Sequence, residues 1–190
     1  MKRIHPIQFL GWPGRPLLRV LGKLGRMRRT LAASFHLPGL DPSVECDGRV
    51  YVAGDRRIHI GQRSRLGRDL ELETHGGVIV IGRNVRVNRG CTIAARRSVK
   101  IGDDTMIGEF CSIRDANHGF APGEPIRTQA HRARRIQIGS DVWIGRGVCV
   151  LPGAVIEDGA VIGANSVVTG RVPAGCIAVG APARVMGKRS

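Results

Sequence analysis

The chain has 190 residues, enough for one domain with a substantial core and one appendage. Aromatic residues make up only 4%, so a core must be built from Val, Ile, Leu and Ala, around 27 Gly and 10 Pro. Thirty Lys and Arg against 15 Asp and Glu give a net charge of +15, which favours a polyanionic partner: nucleic acid, an anionic membrane face, or a phosphorylated cofactor or substrate. The five cysteines (46, 91, 111, 149 and 176) are odd in number and form no C-x-x-C pair. That argues against a disulfide framework or structural zinc and for a reduced, cytoplasmic setting. No apolar run reaches the length of a bilayer span, and the N-terminus lacks the unbroken apolar stretch of a secretory signal.

Residues 1–45 read as a basic, partly helical arm. The first forty hold eight basic residues (Lys2, Arg3, Arg15, Arg19, Lys23, Arg26, Arg28, Arg29) and no acidic one. Leu17, Leu21, Leu24 and Leu31 recur near helical spacing, and Arg15, Arg19, Lys23 and Arg26 follow an offset face, with Gly22 and Gly25 weakening the helix. Three readings stay open: a helix packing its leucines on the main domain, a helix lying on an anionic membrane surface, or a transit peptide poor in Ser. The arm carries Phe9 and Trp12 but no recognised nucleic-acid-binding fold.

Residues 46–190 are periodic. Ile138, Ile144, Val150, Ile156, Ile162 and Val168 stand six apart without a slip. Two residues before each comes Ile136, Val142, Val148, Ala154, Ala160 or Ser166, a column of small or β-branched side chains. The phase recurs at Ile81, Val87, Ile93 and at Ile101, Ile107, Ile113, and the spacing alone at Ile60, Leu66, Leu72, Val78. A period of six is neither 3.6 nor 2. It suits a short strand and a turn, repeated, with Gly, Asn or Asp supplying unusual turn dihedrals. Such units cannot bury themselves singly. Stacked in parallel coils about 4.8 Å apart, three hexads to a coil, they form a triangular prism with one continuous aliphatic core. Twenty-five residues separate Ile113 from Ile138, one more than four hexads, so the segment 114–135 is an extruded loop. Its His131, Arg132, Arg134 and Arg135 suit acidic sugars or CoA phosphates, or equally a solvated basic surface. Cys91 and Cys111 fall in the small-residue column, as core filling.

These hexads resemble the hexapeptide-repeat acyltransferases, and within them the galactoside, maltose and polysaccharide O-acetyltransferase branch. Three stretches carry the resemblance: IGRNVRVNRGCTI (81–93), IGDDTMIGEFCSIRDANHGF (101–120) and VWIGRGVCVLPGAVIEDGAVIGANSVVTGRVPAGCIAVGAPARV (142–185). It implies an all-β solenoid, specifically a left-handed parallel β-helix; the hand comes from the resemblance, since physical rules favour right-handed crossovers. It further implies a homotrimer with acetyl-CoA as co-substrate, no metal, and an active site in the cleft between neighbouring prisms.

O-acetylation requires a base that takes a proton from an alcohol as it attacks a thioester, and a neutral imidazole near pH 7 suits that task. His118 stands where the repeat breaks, beside Gly119, whose turn could offer backbone N–H groups to an oxyanion. The resemblance assigns His118 as the catalytic base and Asn88 as a hydrogen-bonding partner of the acceptor; otherwise Asn88 caps a turn. Asp115 is expected either to accept a hydrogen bond from the imidazole and fix its tautomer or simply to end its strand. On the cofactor side the matching positions are Trp143, Ala164, Thr169 and Arg184. Trp143 sits in an outward phase, suited to a ligand or to a neighbouring subunit, and Arg184 to a bidentate phosphate contact. Where the family commonly has Lys after Thr169, this chain has Gly170 and Arg171, so Arg171 is the candidate substitute for that contact. No Ser or Cys beside His118 is placed as a nucleophile, which implies direct attack.

The expected activity is therefore acetyl-CoA-dependent O-acetylation of a sugar or polysaccharide precursor, by a cytoplasmic protein whose arm is a candidate for peripheral contact with an anionic membrane. A prism-shaped carbonic anhydrase would need a closely spaced histidine pair that His75, His118 and His131 do not provide. A serine acetyltransferase would add a larger N-terminal helical domain. The alternative from another class is a non-catalytic scaffold that binds membrane or polyanions through its arm.

Overall fold

The structure, a computed structural model, describes residues 21–22, 24–25, 27–28, 30–31, 33, 37 and 39–189. From Glu45 onward the chain winds through three parallel sheets, one strand of each per coil. Sheet A runs through Glu45–Cys46, Arg65–Leu66, Arg86–Val87, Met106–Ile107, Trp143–Ile144, Val161–Ile162 and Cys176–Val179. Sheet B holds Val50–Gly54, Leu70–Thr74, Thr92–Ala95, Ser112–Arg114, Cys149–Val150 and Val167–Val168. Sheet C holds Ile58–Ile60, Val78–Ile81, Ser98–Ile101, Ile136–Ile138, Val155–Ile156 and Arg171–Val172. The three sheets are the faces of a prism, and the aliphatic columns fill its interior.

Register explains the period. Val87 pairs with Ile107, Ile107 with Ile144 and Ile144 with Ile162, and each points inward with essentially no exposure. The preceding residue of each strand, such as Arg86, Met106 or Trp143, points out. The small-residue column is buried at the corners, and where it carries a hydroxyl or thiol it ties coils together. The Thr105 hydroxyl donates to the Gly139 carbonyl at 2.9 Å, and the Cys91 and Cys111 thiols donate to Gly108 and Gly145 carbonyls at 3.0 and 3.1 Å. The neighbouring Cys111 sulfur, with burial, pushes the Cys91 thiol up, so it stays neutral. The glycine after the inward aliphatic is required by close approach: a Cβ on Gly102 would lie 2.6 Å from the Gly139 carbonyl carbon, and one on Gly145 would lie 2.7 Å from the Ala164 nitrogen.

The earliest hexads depart from the expected phase. Leu66 and Leu72 are buried, but Val78 pairs with Ser98 and is only half-buried, while Ile79 and Ile81 fill the core. The coil there is three residues longer than three hexads, since Ile60 pairs with Ile81. At the far end Arg184–Lys188 folds back antiparallel on Cys176–Val179 and covers that edge of sheet A, which would otherwise present unpaired backbone groups.

Within the arm, the described residues between 21 and 33 are helical. The helix is tied to the prism by Thr30, whose hydroxyl donates to the Val44 carbonyl and accepts from the Cys46 N–H, both at 3.1 Å, and Ala33 and Leu37 enter the core. Leu21, Leu24 and Leu31, which one reading packs on the main domain, are 53%, 47% and 62% exposed, while Thr30, Ala33 and Leu37 make the docking contacts. Leu17, Arg15, Arg19, Lys23 and Arg26 lie outside the described residues. No helix among the described residues is long and apolar enough to cross a membrane.

Candidate active site at two corners of the prism

His118 belongs to Ala116–His118, which leaves the corner between sheets B and C and pairs antiparallel with His131–Ala133. This two-stranded hairpin is the extruded loop, and its register sets His118 directly opposite His131, the ring centroids 4.1 Å apart. The tip is organised by Gln129: its amide oxygen accepts the Ala121 N–H at 2.8 Å, and its amide nitrogen donates to the carbonyls of Ala121 and Glu124 at 2.9 and 3.0 Å. Gly119 fits beneath Gln129, where an added Cβ would come within 3.0 Å of the Gln129 side chain. Its N–H donates to the Ala130 carbonyl at 3.0 Å, so within the hairpin this amide is already engaged.

His118 is exposed, in a cleft of about 280 Å³ that Glu73, His75, Arg96, Arg114 and His131 also line. Slight burial, then the Arg96 guanidinium, then His118 and His75, hold the His131 imidazole below the ordinary value of 6.5. Each favours the neutral ring. The sequence marks His131 as a basic residue of the loop, too far from His118 along the chain to read as a pair; the hairpin register that brings it onto His118 has no signal in the hexads. Among the described residues no group of three or more His, Cys, Asp or Glu is arranged to hold a metal ion.

Asp115 departs from the orienting role. It is fully buried, and its carboxylate accepts the backbone N–H groups of Arg96, Arg97 and Ser98 at 2.7, 2.7 and 2.6 Å. No hydrogen bond among the described residues joins it to His118. Its carbonyl accepts the Arg134 N–H at 2.8 Å. One side chain therefore fixes the corner of the preceding coil, and its own backbone fixes the return of the hairpin.

Asn88 lies elsewhere. It follows Arg86–Val87 of sheet A and precedes Thr92–Ala95 of sheet B, at the A/B corner, exposed in a cleft of about 380 Å³ with Asp47, Arg68, Arg89 and Glu109. Beside it the Phe110 ring lies between two guanidiniums, those of Arg89 and Arg146, at 5.4 and 5.5 Å. Sheet B separates Asn88 from His118, so one chain does not bring the two together. The donor-side positions divide in the same way. Thr169 is exposed at the B/C corner, between Val167–Val168 and Arg171–Val172, while Ala164 is exposed at the A/B corner. Trp143, 55% exposed, projects from sheet A between Met106 and Val161. Arg184 is exposed in the closing strand, its guanidinium donating to the neighbouring Ala183 carbonyl at 3.1 Å. Arg171 is already engaged: its guanidinium pairs with the Glu157 carboxylate at 2.5 Å, with a second hydrogen bond at 2.7 Å. It reaches a phosphate only by giving up that partner.

Coils of this kind, with an imidazole displayed at a corner, define a class. Residues 135–170 match the family model described as bacterial transferase hexapeptide (six repeats). WbbJ of Escherichia coli (strain K12), named as a lipopolysaccharide biosynthesis O-acetyl transferase, is 38% identical over 147 residues, which is 73% of this chain and 75% of that protein. The galactoside O-acetyltransferase of the same strain is 35% identical over 118 residues, covering 60% of this chain but only 55% of that protein. Among solved structures, AntD, an N-acyltransferase from Bacillus cereus in complex with dTDP and 3-hydroxybutyryl-CoA, superposes with a TM-score of 0.72 at 20% identity, over 84% of this chain and 87% of that one. The chain belongs to the hexapeptide-repeat acyltransferases, and its prism is their left-handed parallel β-helix. It is an acyltransferase.

Proposed function

We propose that the protein transfers an acetyl group from acetyl-CoA to a hydroxyl of a sugar or polysaccharide precursor, with His118 as general base. The observation that carries this reading is an exposed imidazole on a hydrogen-bonded hairpin, opening on a cleft of about 280 Å³. Bound acetyl-CoA supplies an electrophilic thioester carbonyl. His118 takes the proton of the acceptor hydroxyl as its oxygen bonds to that carbonyl carbon. The carbon–sulfur bond breaks, and the imidazolium returns the proton to the departing thiolate, so no acyl-enzyme is needed. Placed on different corners, Asn88 and His118 form one site only when a second copy brings its A/B corner to the B/C corner of the first. The reading is therefore a homotrimer with three shared sites, the acceptor held by Asn88 and the donor along Trp143, Ala164, Thr169 and Arg184.

The test is acceptor-dependent thiol release from acetyl-CoA over a panel of sugars. His118→Ala is expected to lower kcat by roughly 10²–10⁴-fold, the contribution of a placed general base. Release within a fewfold of the wild-type rate from a folded His118→Ala protein defeats the assignment, and no release with any acceptor, together with no CoA binding, favours a scaffold.

A further inference from the structure

Around the B/C corner from His118, on the outer face of sheet C, lies a second cleft of about 260 Å³, lined by Val78, Arg97, Ser98, Lys100, Arg135 and Gln137. The alternation of Ser98–Ile101 turns Val99 and Ile101 into the core and Ser98 and Lys100 outward. Ser98 is nonetheless 94% buried, because the walls of the cleft close over it, and its hydroxyl is the one buried side-chain oxygen or nitrogen among the described residues without a hydrogen-bond partner. Native proteins rarely leave a buried donor unmet, and such a group calls for a ligand or an explanation.

The surrounding charge is of one sign. Arg97, Lys100 and Arg135 enter none of the ion pairs formed among the described residues, although six other arginines do. The Asp115 carboxylate, which reaches the backbone of this strand, is buried and already accepts three backbone amides, including those of Arg97 and Ser98. Sheet register sets Gln137 beside Lys100 and Val78 beside Ser98, so an amide, a hydroxyl and three cations face one small space that has a single apolar wall. That donor set, with no acceptor carboxylate and no aromatic ring, does not suit a sugar ring or a base. It suits a tetrahedral oxyanion carrying more than one charge.

We infer that this cleft is a phosphate site, and that the phosphate it takes belongs to the acceptor: a phosphorylated saccharide whose sugar hydroxyl reaches His118. The second half rests on the function proposed above. The placement follows from the Arg96–Ser98 corner, where Arg96 lines the His118 cleft and the next residue, Arg97, lines this one. Asp115 clamps both amides, so the two clefts share one fixed wall. Of the donor-side positions, Trp143, Ala164 and Arg184 stand on sheet A or at the A/B corner, while Thr169 stands at the B/C corner and Arg171 on sheet C, paired with Glu157. It is the wall shared with the His118 cleft that favours the acceptor over the phosphates of CoA as the source.

The experiment uses the full chain. Inorganic phosphate is titrated by calorimetry into wild type, Ser98→Ala, the Arg97→Gln/Lys100→Gln double variant and His118→Ala. Binding is expected to weaken at least tenfold in the double variant, a fewfold in Ser98→Ala, and not at all in His118→Ala, with melting temperatures no lower than wild type. Equal binding by wild type and the double variant overturns the site. In turnover, nucleoside diphosphate sugars are compared with the corresponding free sugars. The double variant is expected to raise KM about tenfold for the phosphorylated acceptors while leaving KM for acetyl-CoA and for the free sugars unchanged. A rise in KM for acetyl-CoA alone assigns the phosphate to the donor and overturns the acceptor half, as does equal use of both acceptor types by wild type. Phosphate binding that follows the expected order without acetyl transfer to any acceptor upholds the phosphate site and strikes only at the proposed function.

Discussion

At the scale of single residues, two assignments near His118 are separable by measurement. Asp115 is a positioning residue, because its carboxylate holds three backbone amides of the neighbouring coil. Asp115→Asn removes the charge and turns an amide N–H toward donors. The expected cost is about 3 kcal/mol of unfolding free energy, measured in urea, with the acid limb of kcat/KM unmoved in the folded variant. A tautomer-fixing role would instead shift that limb. His131 makes a second case. Its proton affinity is lowered in the folded chain, so between its folded value and the ordinary 6.5 the unfolded chain binds more protons. Stability therefore falls as pH drops through that window and is unaffected above it. His131→Asn is expected to show a smaller loss of melting temperature between pH 7.5 and 5 than wild type. Neither role was visible in the order of residues: Asp115 precedes the histidine by three, which suggests a pair, while the true partner of the ring comes thirteen positions later.

At the scale of elements, the strands, corners and hairpin differ in how far local sequence determines them. The hexads of 138–168 are self-evident, because each inward aliphatic lands on its counterpart eighteen residues later, as Ile144 does on Ile162. The glycine that follows is as legible, since Gly145 lies too close to the next coil for any side chain. Upstream the same rule misplaced Val78. A coil three residues longer cannot be seen until pairing shows which residue sits over Ile60, and that residue is Ile81. The hairpin is set by contacts outside the repeat, chiefly the Gln129 amide. Gln129→Ala removes three hydrogen bonds to the tip. It is expected to raise amide hydrogen exchange across 119–130 and to lower kcat several-fold, with the melting temperature changed by no more than a few degrees because the coils do not depend on the tip.

At the scale of the whole molecule, the division of the site between two corners makes a prediction about assembly. If His118 of one copy works with Asn88 of another, mixed oligomers of His118→Ala and Asn88→Ala chains contain some sites with both residues intact. Co-refolding the two inactive variants is expected to recover a substantial part of wild-type thiol release, whereas mixing them folded and unexchanged recovers none. A site contained within one chain recovers nothing in either case. The charge of +15 also belongs to this scale. Cations that enter no ion pair among the described residues gather at sheet C, at Arg97, Lys100 and Arg135, where they frame a buried hydroxyl.

By itself the sequence determined the coil, its triangular section and the points where it breaks. Those depend on a period of six and on small residues at fixed offsets, which act between neighbours in a stack and repeat in the chain. Only the tertiary structure decided what the break does. The ring opposite His118, the amides held by Asp115, the outward leucines of the arm and the lone hydroxyl of Ser98 all arise from contacts between segments with no common period. A hydrogen bond or a buried charge is satisfied by whichever group the fold brings within reach, and that distance is not written in the spacing of residues along the chain.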